Sequence, residues 1–560
     1  MVDPGTGARG GTKNRWLMLW LSVALTQALV QPANALPQTA RPARLSGRVV
    51  AGDTGKPVRG AFVNVIDTRA SSPTERKGRW IATDADGRWE FADLAPGRYT
   101  VVVTKSGYLK VEYGQQRPFE RGRPLELTAG QTFDRVDVTL PRSSAITGRV
   151  LDEFGDPAAA VMVRALRHRY VDGQRQLTPL SEGIEVLASG GGDITDDLGQ
   201  FRIYGLAPGD YYVSAVFSPS GQGAARTDYL PTYYPGTASA AQARRITVRL
   251  GEEADNINVN LVVARFSVVS GTVLSSLNAP VKTSVQLSTD DPSALAVGPS
   301  TTSADGTFAF RHVPPGEYRL RVYGTQSPSG VAEFASVPVS VAGDDVAGVV
   351  VITSPGATAS GRVVFEAGEK PDARIFVRTA TTVPGATFSN TSVGVNPDMS
   401  FTATGLTERQ TFRLGAVPDG WFLKSVTHRG VDITDTGYAF KPGERVSGIQ
   451  ILLTRRATTL TGAVVGDGGE RIGDYSVVAF SSDRNKWGYL TRFVRSARPD
   501  QEGRFTIRGL PPDDYLVVAV EYLESGQEFD PDQLRGWEPI ATKVALGEGG
   551  TQSVSLKLAR

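Results

Sequence analysis

Thr83-Asp84-Ala85-Asp86-Gly87-Arg88-Trp89-Glu90-Phe91, followed by Leu94-Ala95-Pro96-Gly97-Arg98-Tyr99-Thr100-Val101, is the stretch that decides the fold. Asp-Gly is a tight-turn pair, because glycine accepts a positive φ without a Cβ clash. Trp89 and Phe91 alternate with charged residues, the pattern of a strand with one buried face. Pro96-Gly97 turns the chain again. Tyr99, Val101 and Val103 then alternate in a second strand. The phrase reads strand, turn, strand.

It recurs. Further copies are Asp197-Leu198-Gly199-Gln200-Phe201 with Leu206-Ala207-Pro208-Gly209-Asp210-Tyr211, Asp305-Gly306-Thr307-Phe308 with Val313-Pro314-Pro315-Gly316-Glu317-Tyr318, and Glu502-Gly503-Arg504-Phe505 with Leu510-Pro511-Pro512-Asp513-Asp514-Tyr515. A degenerate copy, Pro397-Asp398-Met399-Ser400-Phe401 with Leu406 and Phe412, lacks the Pro-Gly. Upstream of each copy stands an opening phrase: Ser46-Gly47-Arg48-Val49, Thr147-Gly148-Arg149-Val150, Ser270-Gly271-Thr272-Val273, Ser360-Gly361-Arg362-Val363 and Thr461-Gly462-Ala463-Val464. A period of roughly 100 residues suits one β-sandwich. The expected organisation is five tandem Greek-key sandwiches at 44–141, 145–263, 266–353, 357–454 (degenerate) and 457–560. Each closes on an alternating strand, such as Val136 to Leu140 or Ile257 to Leu261. The next opening strand follows within about five residues, too few for a free tether. The expectation is therefore an all-β, elongated, semi-rigid array with little helix.

The N-terminus reads as a secretory leader over residues 1–35. Arg9, Lys13 and Arg15 precede an apolar run from Trp16 to Val30, and Ala33-Asn34-Ala35 supplies small residues for cleavage. That run is shorter than a spanning helix needs, so the expected product is extracytoplasmic with no membrane span. Lys and Arg total 60 against 58 Asp and Glu, which leaves no basic excess for nucleic acid. The chain has no cysteine, which excludes disulfides, thiolate chemistry, Cys-ligated metals and a lipid on an N-terminal cysteine.

The opening Ser46-Gly47-Arg48-Val49, the segment Lys56-Pro57-Val58-Arg59-Gly60-Ala61-Phe62-Val63 and the turn phrases resemble the prealbumin-like (transthyretin-like) sandwich known as the carboxypeptidase regulatory-like domain. Collagen-adhesin B-type repeats and starch-binding-like modules share that fold. Chains made of such repeats after a leader resemble exported proteins of environmental bacteria. The resemblance implies a fold and leaves the ligand open. It is to the accessory domain of the carboxypeptidases and not to their zinc enzyme. Such an enzyme needs His-x-x-Glu and a third histidine, whereas His168, His312 and His428 fall in three repeats and none begins that motif. There is no Gly-x-Ser-x-Gly elbow. Asp84 and Asp86 suggest a hairpin turn more than a calcium loop, which takes several more oxygen ligands. Collagen-adhesin repeats can carry a Lys–Asn crosslink. The comparable positions here are Arg48, Arg149, Thr272, Arg362 and Ala463, none of them a lysine, so no crosslink is expected.

No catalytic residue, metal or cofactor is expected. Two aromatic-rich stretches depart from the minimal repeat: Tyr229-Leu230-Pro231-Thr232-Tyr233-Tyr234 and Trp487-Gly488-Tyr489. Aromatic rings on loops stack on sugars or peptide side chains. Tyr229, Tyr233, Tyr234, Trp487 and Tyr489 are thus the candidate ligand-binding residues, unless the rings fold back over a sandwich edge. The sequence points to a non-catalytic exported binding protein for a polysaccharide or a cell-surface protein. The alternative is a structural spacer or scaffold of the cell envelope.

Overall fold

The computed structural model describes residues 41–68, 78–171, 173–180, 191–217, 229–289, 297–326, 332–366, 371, 374–381, 391–416, 420–466, 468–488 and 491–559. The expected leader and Tyr489 lie outside the described residues. Among those described, strands form ten sheets that pair off around five apolar cores. The one α-helix among them is Pro531–Trp537.

The first repeat sets the pattern. Its opening strand, Ala43–Ala51, lies between Arg88–Leu94, antiparallel, and the closing segments Thr132–Phe133 and Val138–Leu140, parallel. The facing sheet holds Phe62–Asp67, paired with Arg79–Ala82 and Gly97–Thr104. Alternation puts Leu45, Val49, Val63, Trp89, Phe91 and Val101 between the sheets. The opening strands Ser144–Leu151, Ser267–Leu274, Ala357–Phe365 and Thr459–Val465 each take the same two neighbours, one antiparallel and one parallel.

That central position explains the opening glycine. A Cβ on Gly47, Gly148, Gly271, Gly361 or Gly462 would fall far inside van der Waals distance of a closing-strand carbonyl oxygen, respectively Val136, Ile257, Val349, Ile449 or Val554. Only a hydrogen fits where the parallel strand crosses so closely.

The Pro-Gly turn does not close a hairpin, contrary to the simplest reading of strand, turn, strand. Arg88–Leu94 belongs to the opening sheet and Gly97–Thr104 to the facing one, so the turn carries the chain across the core. A tyrosine fixes this corner. Tyr99 donates to the carbonyl of Ala95 at 2.8 Å, Tyr211 to Ala207 at 2.7 Å, Tyr318 to Pro314 at 3.0 Å and Tyr515 to Pro511 at 2.8 Å. Burial pushes the Tyr211 and Tyr318 phenols up to about 12, so they stay neutral donors. In the degenerate fourth repeat the Gln410 side-chain amide takes over, donating to Thr407 O at 2.7 Å.

The Asp-Gly turn is an Asx turn. Asp84 Oδ1 accepts the amides of Asp86 and Arg88 at 2.9 and 2.7 Å, and Asp196 and Asp500 do the same in their repeats. Gly87, Gly199, Gly306 and Gly503 take positive φ there. Met399 occupies that place in the fourth repeat at φ 67°, and its carbonyl accepts from Val363 as Gly87 accepts from Val49. A side chain in the left-handed region costs about 1–2 kcal/mol, partly offset by glycine's larger unfolded-state entropy. Met399→Gly is expected to stabilise the fourth repeat by about 1 kcal/mol, read as a higher midpoint in its denaturant unfolding.

The fifth repeat carries an addition. Pro531–Trp537, started by Asp530 accepting from Asp532 N at 2.9 Å, lays Leu534 and Trp537 on the outer face of the sheet, against Val478, Phe480, Leu516 and Val518. That sheet is therefore buried on both faces, which is why Ser476–Ser481 is enclosed along its whole length.

Contacts tie the junction of the first and second repeats, of the third and fourth, and of the fourth and fifth. Arg142 reaches back to Asp53 at 2.9 Å and lies 4.3 Å over the Tyr108 ring. Ser354–Pro355 pairs with Ala332–Val341. Lys424 bonds Glu548 at 2.6 Å, and Arg492 bonds Asp435 at 2.7 Å. The array is nevertheless not elongated throughout. The fifth repeat contacts the first and second, and residues 41–560 form one unit.

Candidate functional site

The candidate aromatics are packed more than displayed. Thr232–Tyr233 joins the facing sheet of the second repeat beside Gly209–Phe217, which buries Tyr233 to 3% exposure. A ring so enclosed offers no face for stacking. Tyr234 and Tyr229 are partly buried against the same core, with Tyr229 6.4 Å from the Phe217 ring and its hydroxyl donating to Glu153. Trp487 packs edge-on against Phe480 at 5.6 Å, and its indole N–H donates to Ser481 O at 2.7 Å. The added strand and the short turn Arg484–Lys486 fold these side chains back over the sandwich edges. The three histidines stay apart, each beside an aromatic ring: Tyr212, Phe266 and Tyr438. Among the described residues no group of three metal-ligating side chains gathers, and no helix is long and apolar enough to cross a membrane.

The feature that sequence reasoning missed is the contact of the fifth repeat with the first and second. A loop of the first repeat, Gly114 to Arg123, meets Glu521 to Glu528 of the fifth. Arg117 pairs with Glu521, and Arg121 with Glu528 at 3.2 Å. Tyr522 donates to Pro118 O at 3.1 Å, and Arg123 to Gly473 O. Glu120 and Glu524 form a backbone bridge. From the second repeat, Arg167 pairs with Glu524 and lies 3.4 Å over the Phe119 ring. Phe119 itself sits at φ 66°, a region that bulky residues enter only where surrounding contacts compel it.

At the centre is a buried ion pair. The Glu120 side chain is 0% exposed and Arg498 5% exposed; they bond directly, and Arg498 also bonds Asp474 at 2.7 Å. Burial raises the Glu120 pKa above the usual carboxylate range, while the charge of Arg498 pulls it back. The same burial lowers the Arg167 guanidinium to about 10. The signal was present as three arginines in one loop and three glutamates in another, some 400 residues apart. Nothing local in the sequence pairs them.

Beside this contact the first, fourth and fifth repeats border an open cleft of about 620 Å³. Its walls carry Arg98 and Arg121 from the first repeat, Trp421 and Phe422 from the fourth, and Arg495, Arg498 and Arg508 from the fifth.

The described residues form stacked β-sandwiches, each opened by a close-packed glycine strand and four of them cornered by a buried tyrosine. Residues 44–141 match the carboxypeptidase regulatory-like domain family. Colossin-A of Dictyostelium discoideum is 23% identical over 256 residues, which are 43% of this chain and 2% of that protein, so the chain spans a small fraction of this relative. Among solved structures, the minor pilin GBS52 of Streptococcus agalactiae is 16% identical, covering 40% of this chain and 96% of that one, with a TM-score of 0.23. Two B repeat units of the collagen binding protein of Staphylococcus aureus are 14% identical, covering 74% and 100%, with a TM-score of 0.12.

Proposed function

We propose that this chain is a non-catalytic binding protein that works outside the cytoplasm and engages another protein at the cell surface. The observation that carries the reading is the closure of the fifth repeat onto the first and second. It builds a cleft with walls from three repeats, which none of them has alone. Composite clefts at domain interfaces are common binding sites. Export rests on the leader-like segment up to Ala35, and the non-catalytic reading on the regulatory-like character of the first repeat. A polysaccharide ligand is the weaker reading, because Tyr233 is enclosed and Tyr229, Tyr234 and Trp487 lean on their own repeats. A pure spacer is weaker too, because folding back shortens the span that five repeats would otherwise give.

The test presents immobilised full chain with isolated envelope material, intact or protease-treated, and with insoluble glycans. Retention that disappears after protease treatment is the expected result. Retention on glycan, lost in Trp487→Ala, would favour the polysaccharide. No retention on either material would leave the spacer.

A further inference from the structure

We propose that the cleft between the first, fourth and fifth repeats binds an acidic, extended peptide segment; this rests on the protein-binding reading above and names the chemistry of its ligand. Five arginines line the cleft, Arg98, Arg121, Arg495, Arg498 and Arg508, against one lining carboxylate, Glu112. Glu112 is already engaged, accepting from Gly122 N at 2.7 Å. Three of the arginines have acidic partners: Arg98 with Glu126 at 3.4 Å, Arg121 with Glu528 at 3.2 Å and Arg498 with Glu120 and Asp474. Arg495 and Arg508 have no carboxylate within ion-pair distance among the described residues. Arg495 donates only to backbone carbonyls, Thr491 O at 3.2 Å and Val494 O at 3.0 Å. It is also desolvated, and this burial lowers its pKa. A guanidinium removed from water without a counter-ion gains most when an anion arrives, and its planar fork suits a carboxylate.

Two further features favour a peptide over a sulfated sugar chain. Arg495 lies on Val494–Ala497, the edge strand of its sheet, whose ladder partner is Ser476–Ser481 on one side. An extended peptide can lie along such an edge. Trp421, Phe422 and Leu523 add apolar wall beside the arginines, which suits a segment that mixes acidic and apolar side chains. A sulfated polysaccharide would call for a longer row of unpaired cations.

The test is calorimetric titration of the full chain with a glutamate-rich decapeptide, the matching glutamine decapeptide and a heparin-type oligosaccharide. Each is repeated on Arg495→Gln and Arg508→Gln. The acidic peptide is expected to bind, the glutamine peptide at least about tenfold more weakly, and each variant to lose about tenfold or more for the acidic peptide. Arg508 is exposed, so its variant keeps the test decisive if Arg495→Gln disturbs folding. Undiminished peptide affinity in Arg508→Gln would overturn the proposal. So would tighter binding of the oligosaccharide than of the peptide, or no binding of the acidic peptide at all. If envelope-protein retention persists while the peptide fails, the protein-binding reading stands and only the cleft assignment is lost.

Discussion

Arg498→Ala is expected to release the fifth repeat from the first. Arg498 and Glu120 are both buried, and removing the guanidinium leaves the Glu120 carboxyl enclosed without its cation. Breaking one side of such a pair typically costs about 3–5 kcal/mol, far more than the pair itself contributes relative to apolar residues. Of the pairs around it, the largely buried Arg167–Glu524 ties the fifth repeat to the second and not to the first. Arg117–Glu521 is more than a third exposed on both sides and so is screened by water and salt. Small-angle scattering should report a larger radius of gyration for Arg498→Ala than for the wild type, while circular dichroism keeps its strand signal. A double variant, Arg498→Met with Glu120→Leu, removes both enclosed charges and should close again, because the carboxylate left unpaired, Asp474, is about a third exposed and keeps contact with water. An unchanged radius in Arg498→Ala would show that the ion pair does not hold the repeats together. Raised salt should open the wild type less than the mutation does, since the central pair is shielded from solvent.

Gly271→Ala should unfold the third repeat while leaving the others standing. The new methyl would overlap the Val349 carbonyl and press on the Phe308 ring at 2.9 Å. The obstacle is backbone of a strand paired along Ser267–Leu274, so it cannot swing aside as a side chain would. Overpacking that forces a backbone shift costs about 1–3 kcal/mol and sometimes more, and here the shift would also break the ladder bonds that hold the closing strand to the opening one. Hydrogen exchange resolved by peptide should show protection lost across 267–352 and kept in the first and fifth repeats. Equal protection in the variant and the wild type would mean that the closing strand can move away at little cost. Gly430→Ala serves as a control for merely adding a methyl at a glycine, since nothing lies within 4 Å there, although its φ of 81° adds a local strain.

Much of the fold could be read directly. Alternation in Trp89-Glu90-Phe91, the recurrence of Ser-Gly-Arg-Val and the Asp-Gly turns place strands, turns and inward faces, because these depend on residues close in sequence. Asp84 is a turn residue through its two backbone bonds, but its turn joins Arg79–Ala82 of the facing sheet to Arg88–Leu94 of the opening sheet, so the expected hairpin is not formed. Scarce helix followed from the same patterns. The seven-residue Pro531–Trp537 is too short to show a period, though Asp530-Pro531 is a recognisable start.

The site was legible only in part. Tyr229, Tyr233, Tyr234 and Trp487 stood out as aromatics in loop-like sequence, yet a ring's exposure depends on which strand accepts its segment. Tyr233 entered a sheet edge and was enclosed. The arginines of the cleft look like ordinary surface charge until the repeats come together.

The sequence by itself determined the all-β, cysteine-free repeat pattern and the positions of its turns. It also marked each opening glycine and each corner tyrosine, since local sterics and alternation act within a few residues. Tertiary structure alone decided why those glycines cannot bear a Cβ, where the Pro-Gly turns lead and that the fifth repeat returns to the first. Glu120 and Arg498 lie 378 residues apart. Their pairing needs the repeats between them folded and in place, and no stretch of sequence encodes that locally.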